Sequence, residues 1–234
     1  MYLYETHLHT APMSGCAKVG IRETLEYYQS AGYAGVFLTN HFLDGNIDKE
    51  LRELPYAEQI ERYFACIEEA KGIGEEIGLR VFPGIEMGDH GCDFLVYGID
   101  REWCLAHEEM HKLKKSELLT MMMEAGALIV HAHPFREAKY IDHIHLYPRH
   151  VHGVEIFNAG RPEFVNRMAE QYCQNYELIP FAGTDNHKAG DMEQFGGIAT
   201  EEPITDVRHF IDLVLARAAK PFMRDENGIR LLAE

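Results

Sequence analysis

The feature that most constrains this chain is the regular alternation of short apolar runs with amphipathic segments. Gly35-Val36-Phe37-Leu38-Thr39 is a compact apolar run behind a glycine and predicts a buried strand. Ile60, Tyr63, Phe64, Ile67 and Ala70 recur at helical spacing and predict a helix over 57–78, ended by Gly78. Further strands are expected at Leu3 to Glu5, Arg80 to Pro83, Phe94 to Tyr97, Ala127 to Val130, Gly153 to Phe157 and Leu178 to Ala182. Helices are expected at 106–124, 162–174 and 207–219. This rhythm points to parallel α/β construction, which an open doubly wound sheet and a closed barrel both satisfy.

The polar residues favour the barrel. His7, His41, Glu86, His133 and Asp185 each fall at or just past the end of a different expected strand. Groups at the C-terminal ends of many strands converge when a sheet closes, and spread along an edge when it stays open.

Their chemistry is that of metal ligands. In Glu5-Thr6-His7-Leu8-His9-Thr10 the two imidazoles are two residues apart on an extended segment and so face the same way. His131-Ala132-His133-Pro134 repeats the spacing, with Pro134 expected to hold His133 extended and His131 expected to support it from the same face. Thr184-Asp185-Asn186-His187 repeats it again with a carboxylate and an imidazole. Each pair alone has an ordinary reading as surface or core residues. Together, nitrogen and oxygen donors without a thiolate cluster suit a hydrolytic multinuclear site better than a structural zinc.

Composition narrows the partners. The chain has 234 residues, 14 of them His, and a formal net charge of −16. That charge argues against an extended nucleic-acid surface, but not against a small phosphorylated ligand met by bound cations. Five cysteines, odd in number and without a C-x-x-C pair, suit a reducing cytoplasm. No signal peptide or membrane span is expected. Oligomeric state leaves no mark in the sequence.

Taken in order, His7-Leu8-His9, Thr39-Asn40-His41, Pro83-Gly84-Ile85-Glu86, His133-Pro134 and Asp185-Asn186-His187 resemble the motifs of the PHP (polymerase and histidinol phosphatase) superfamily. The resemblance runs from the first residues to about 190. It implies a distorted TIM-like (β/α)7 barrel, one PHP-like domain over 1–234, with a two- or three-metal centre of zinc, manganese or iron at the C-terminal ends of the strands. The implied activity is metal-dependent hydrolysis of a small phosphate ester. Carried over position by position, His7, His9, Glu86 and Asp185 hold one ion, Glu86 bridges to a second with His133 and Asp93, and His41 and His187 hold a third. Glu86, His133, Asp185 and His187 are then the expected catalytic residues.

The chain also departs from that pattern. Where relatives add an Asp or His after the first pair, this segment reads Thr10 to Cys16 with neither, so a third ion there takes Cys16 or a water. Asn40 replaces an expected aspartate. Arg136 and Arg161, just past strand ends, are candidate phosphate ligands, with Lys188 a weaker one. His143, His145, His150 and His152 read as a solvated histidine-rich loop, and Met121-Met122-Met123 as core packing. Two rival functions remain at this level. One is a metal-dependent amidohydrolase, which calls for a metal-bridging lysine; the other is a PHP module that has lost catalysis.

Overall fold

A computed structural model describes residues 1–43, 45–89, 91–190 and 192–232. Chain order is β1 (Tyr2–Leu8), α1 (Ile21–Ser30), β2 (Gly35–Leu38), α2 (Lys49–Arg52), α3 (Tyr56–Ile77), β3 (Arg80–Pro83), β4 (Ile85–Asp89) and β5 (Cys92–Tyr97). It continues with α4 (Arg101–Ala106), a 3-10 turn (Glu108–Lys112), α5 (Lys115–Glu124), β6 (Leu128–Ala132), β7 (Gly153–Asn158), α6 (Glu163–Asn175) and β8 (Ile179–Gly183). The chain closes with β9 (Phe195–Thr200), α7 (Val207–Leu215), β10 (Lys220–Asp225) and β11 (Gly228–Leu231).

The expected helices are present, with one split. Helix α3 buries Ile60, Tyr63, Ile67 and Ala70 and stops where Gly78 adopts φ +77°, a left-handed cap that glycine takes without strain. The single helix expected over 106–124 is instead α4, a 3-10 turn and α5. Asp100 accepts from the Trp103 N–H to start α4, and Glu117 accepts from the Lys114 N–H to start α5, so two separate starts interrupt the apolar periodicity.

The fold is mixed α/β, and among the described residues the strand ladders form no closed barrel. Among the described residues the strands form two sheets, β11-β10-β9-β1-β2-β3 and β4-β5-β6-β7-β8. Pairs β1–β2, β2–β3, β6–β7 and β7–β8 are parallel, whereas β4–β5, β5–β6 and the β1–β9–β10–β11 ladder are antiparallel. One cause is on β1 itself. Its outer edge is taken by β9 through Tyr2–Thr200, Leu3–Ala199 and Tyr4–Ile198, so β8 reaches β1 only beyond that ladder, at a single Leu8–Asn186 bridge. At the other junction a single His41–Glu86 bridge spans the sheets. The first bridge joins neighbours of the candidate site residues and the second joins two of those residues themselves, which places the candidate positions where the two sheets meet.

Candidate metal centre

The strands deliver the predicted residues to one place. His7 lies near the C-terminal end of β1, with His9 just past it; His41, His133 and the Asp185–His187 pair follow β2, β6 and β8. Two placements differ from strand-end expectation. Glu86 sits within β4 rather than in a loop, and Asp93 is the second residue of β5, whose antiparallel direction brings its first residues beside the end of β6 through the Asp93–Ala132 pairing.

Backbone bonds lock the meeting point of β1 and β8. Asp185 N–H donates to the His7 carbonyl at 2.9 Å and His9 N–H to the Asn186 carbonyl at 3.1 Å. Thr6 Oγ1 donates to the Ala182 carbonyl at 2.6 Å. Gly183 allows this approach, because a Cβ there would lie 2.6 Å from His7 Cβ and 2.7 Å from a Glu155 oxygen. Asp185 and His133 carry φ of +54° and +26°, unusual for residues with side chains. The value at His133 corrects the extended conformation expected ahead of Pro134. Its N–H is held by Glu155 Oε2 at 2.9 Å, so a local tertiary contact overrides the proline's preference. The same turn breaks the alternation with His131, whose Nε2 lies 3.1 Å from Cys92 Sγ and whose ring stacks on Phe94. His131 is thus packed against a thiol and aromatics, with no ligand-supporting bond.

At the centre, Glu86 is 1% exposed and lies within reach of four imidazoles. His7 Nε2 is 3.2 Å and His133 Nε2 3.5 Å from Oε1, and His9 Nε2 is 3.3 Å and His41 Nδ1 2.5 Å from Oε2. Asp185 adds its Oδ1 at 3.4 Å from both His7 Nε2 and His9 Nε2, and its Oδ2 at 3.6 Å from His133 Nε2. Three groups have ligand atoms mutually within 4.8 Å: His7 with His9 and Asp185, His7 with Glu86 and His133, and His9 with His41 and His187. Asp93 belongs to none of them. It lies 4.0 Å from His133 Nδ1 and accepts from Arg136 Nη2 at 3.0 Å.

A supporting shell escaped the sequence analysis. Glu155 Oε1 pairs with His7 Nδ1 at 2.9 Å, which leaves Nε2 to face the cluster, and Glu155 Oε2 also accepts from Asn158 Nδ2. Ser14 Oγ does the same for His9 Nδ1 at 2.9 Å, accepts from the His41 N–H at 3.0 Å and donates to Asn40 Oδ1 at 2.9 Å. Asn40, in place of the expected aspartate, therefore anchors the serine. Glu5 Oε1 accepts from the N–H groups of His7 and Thr184. These partners are separated from their targets by up to 179 residues, so no local motif marks them. Their only sequence signal was an acidic residue on an otherwise apolar strand.

The electrostatics are those of a site built around positive charge. Burial works against ionising Glu86 and Asp185, yet the surrounding imidazoles hold both carboxyls well below their usual range. Burial lowers His7, but Glu155, Asp185 and Glu86 outweigh it and hold the imidazole well above its ordinary value. Burial opposes the His41 cation too, and Glu86 still raises it to about 11. Burial and the neighbouring His41 push His9 down to about 3. Five buried donor atoms in the cluster, His7 Nε2, His9 Nε2, His41 Nδ1, Glu86 Oε2 and His133 Nδ1, have no hydrogen-bond partner. Unpaired buried polar atoms are costly, and convergent nitrogen and oxygen lone pairs fit divalent ions.

A cleft of about 560 Å³ opens onto the cluster. Arg136 and Arg161 both line it. Arg161 Nη2 bonds Asp185 Oδ2 and its buried Nε has no partner, while Arg136 Nη1 donates to the Tyr140 hydroxyl at 2.6 Å. Lys188 is exposed and outside the cleft lining. His143 and His145 are exposed, as expected, whereas His150 bonds Thr120 and His152 accepts from the Ile129 N–H. Met122 is buried with Met121 and Met123 against the core. A larger cleft of about 700 Å³ lies elsewhere, lined by Lys71, Arg101 and Arg208 among others, and contains none of the three ligand groups.

No family model and no curated protein matches the sequence. Solved structures do match, and their likeness is one of fold. A two-domain protein from Bacteroides vulgatus, containing a predicted PHP-like metal-dependent phosphoesterase, is 14% identical with a TM-score of 0.63; the match covers 94% of this chain and 64% of that one. The present chain therefore spans just under two thirds of the length of that relative. A candidate metal-dependent phosphoesterase from Bifidobacterium adolescentis is 15% identical with a TM-score of 0.54, over 93% and 96% of the two chains. An amidohydrolase from Chromobacterium violaceum is 12% identical with a TM-score of 0.53, over 89% and 95%. The chain thus has the fold of PHP-like metal-dependent phosphoesterases.

Proposed function

We propose that this chain is a PHP-superfamily hydrolase, a single PHP-like unit that cleaves small phosphate esters with two or three divalent ions. The observation that carries this reading is the convergence of three buried imidazole nitrogens, His7 Nε2, His9 Nε2 and His41 Nδ1, on the Glu86 carboxylate, beneath a cleft edged by two arginines. His7, His9, Asp185 and Glu86 would hold one ion; Glu86 and His133, with Asp93 adjoining, a second; His41 and His187 a third. Zinc, manganese and iron all suit such a donor set. The unit would keep the TIM-like barrel plan in opened form, its two sheets meeting at the metal cluster.

When bound, the ions supply Lewis acidity, which neutralises phosphoryl charge and makes water acidic enough to attack near neutral pH. The chain's own groups do the rest. Glu86, His133, Asp185 and His187 would be the groups that touch the reacting atoms. Arg161 offers its free Nε–H, and Arg136 its guanidinium, to phosphate oxygens. His187 Nδ1 lies 2.8 Å from the Asp185 carbonyl and donates to it, which leaves Nε2 to face the cleft. Glu155 and Ser14 fix the His7 and His9 tautomers.

The likeness to an amidohydrolase structure supports a second reading, hydrolysis of an amide or amidine by the same ions. No lysine lines the cleft among the described residues, whereas the carboxylate of Glu86 lies within reach of four imidazoles and could serve two ions, so the phosphoester reading is preferred. An inactive module is disfavoured by the filled ligand set. The partner is thus a small phosphorylated molecule rather than extended nucleic acid, consistent with the acidic surface, and the cytoplasm is the proposed location. No helix of the described residues is long and apolar enough to cross a membrane.

The test is a phosphoester panel assayed with metal-reconstituted protein and with His133→Ala and Asp185→Ala variants. Both variants should lose bound metal and at least about a hundredfold in phosphate release while keeping their far-ultraviolet circular dichroism. Unchanged turnover in either would remove these residues from the centre.

A further inference from the structure

We propose that Asp93 is not an ion ligand but, with Tyr140, a brace that aims the Arg136 guanidinium at the substrate's phosphate. The inference rests on reading this cleft as a phosphoesterase centre, and it gives Asp93 a different task from the one that the resemblance implies.

Four observations carry it. First, Asp93 belongs to none of the three groups of converging ligand atoms, although it lines the same cleft. Second, both of its oxygens are turned to other neighbours. Oδ2 accepts from Arg136 Nη2 at 3.0 Å, and Oδ1 lies over Gly88 of β4, where a Cβ would stand 3.1 Å from it. Third, Asp93 faces the other nitrogen of His133. Its Oδ2 is 4.0 Å from Nδ1, whereas Nε2 is the atom near Glu86 and Asp185, at 3.5 and 3.6 Å. The two ring nitrogens of an imidazole point apart, so a group at Nδ1 does not meet an ion held at Nε2. Glu155 and Ser14 stand at the same nitrogen of His7 and His9, where they support the ring. Fourth, Arg136 is fixed at three points. Its backbone N–H donates to the His133 carbonyl at 2.9 Å, Nη1 to the Tyr140 hydroxyl at 2.6 Å, and Nη2 to Asp93.

Charge and geometry give the brace a purpose. A guanidinium beside divalent ions is repelled unless an anion accompanies it, and Asp93 is that anion. The two side chains are only 13% and 11% exposed, so water screens the pair little. Turning Asp93 to an ion would strip Arg136 of its counter-charge where repulsion is strongest. The brace uses two of the five guanidinium N–H groups and leaves three for phosphate oxygens. A fork already held in place loses less freedom on binding than a free one. The second ion is then left with Glu86 and His133 as its ligands from the chain.

Counting ions separates ligand from brace. The full chain and its Asp93→Asn, Arg136→Gln and doubly substituted variants are loaded with zinc or manganese. Metal content, the Kd for inorganic phosphate by calorimetry and KM for a phosphoester are then measured. Both single variants should hold as many ions as wild type. Each should weaken phosphate binding and raise KM about tenfold, and the double variant should be no weaker than Arg136→Gln alone, because the two residues act as one unit. Tyr140→Phe, which keeps the ring and removes the hydroxyl, should give a smaller change in the same direction. An Asp93→Asn protein that loses an ion while Arg136→Gln keeps them all makes Asp93 a ligand and overturns the inference; so does a double variant whose losses multiply. Neither Arg136→Gln nor Tyr140→Phe alters β5, so unchanged phosphate binding in both overturns it even where Asp93→Asn disturbs the fold. A wild type that holds no ion overturns the proposed function, and the inference with it.

Discussion

Glu155 carries more of the site than any residue that the motifs named. One carboxylate oxygen orients His7 and the other holds the His133 N–H in its left-handed turn, so it couples two strands that each bring a ligand. Glu155→Gln keeps the shape but removes the charge that raises the basicity of His7, and metal affinity should fall about 10–100-fold in a competition titration; an unchanged affinity would make Glu155 merely structural. Glu5 makes a pH-dependent claim. Burial raises its carboxyl to about 7 despite two backbone N–H bonds. The native state therefore holds a proton that the unfolded chain has already lost, and stability declines as pH rises from about 4.5 to about 7. Glu5→Gln removes that loss, so the variant's stability relative to wild type should grow across this window, by on the order of 3 kcal/mol. Urea unfolding of the metal-free proteins at several pH values checks the sign; a constant difference would contradict it. The sequence made the candidate ligands legible, because two-residue spacing on a strand forces one face, and His7 and His9 both reach Glu86 and Asp185. It hid Glu5, Ser14 and Glu155, whose roles exist only once distant strands meet.

At the scale of elements, the junction of β1 and β8 is the most sensitive contact. Gly183→Ala would place a methyl against His7 Cβ and the Glu155 carboxylate. It should cost about 1–3 kcal/mol by overpacking and also weaken metal binding, read by urea unfolding and metal titration of the same sample; a neutral variant would mean that the two strands can separate without consequence. Legibility here followed the strength of the pattern. The long apolar periodicity of α3 and the compact runs of β2, β6, β7 and β8 were readable to within a residue or two. Helix α1 was missed although Ile21, Thr24, Leu25 and Tyr28 are its buried face. Strand β9 was missed because Gly196 and Gly197 dilute its pattern; both are needed for close packing, Gly196 against the Gly183 carbonyl and Gly197 against the Tyr4 carbonyl.

At the scale of the whole molecule, the strands pair in two sheets that single bridges join at Leu8–Asn186 and His41–Glu86. The antiparallel ladder β9–β10–β11 takes the first half of one β1 edge, at Tyr2 to Tyr4, and leaves β8 the second half, a tertiary choice that local periodicity does not encode. The ligand positions converge nonetheless, since each sheet presents its chemically active end at the junction. The formal charge of −16 also takes on a different meaning under the proposed function, because divalent ions among Glu86, Asp185 and their neighbours would reverse the sign where a phosphate enters. The account's central claim is that turnover of phosphate esters depends on those ions. The direct measurement is phosphate release from a phosphoester panel by the full chain, first stripped of metal by chelation and then reconstituted with zinc, manganese or ferrous iron. The account predicts release at the uncatalysed background when stripped and its return with at least one ion. Equal release in the stripped and reconstituted protein, or none with any ion bound, would contradict it.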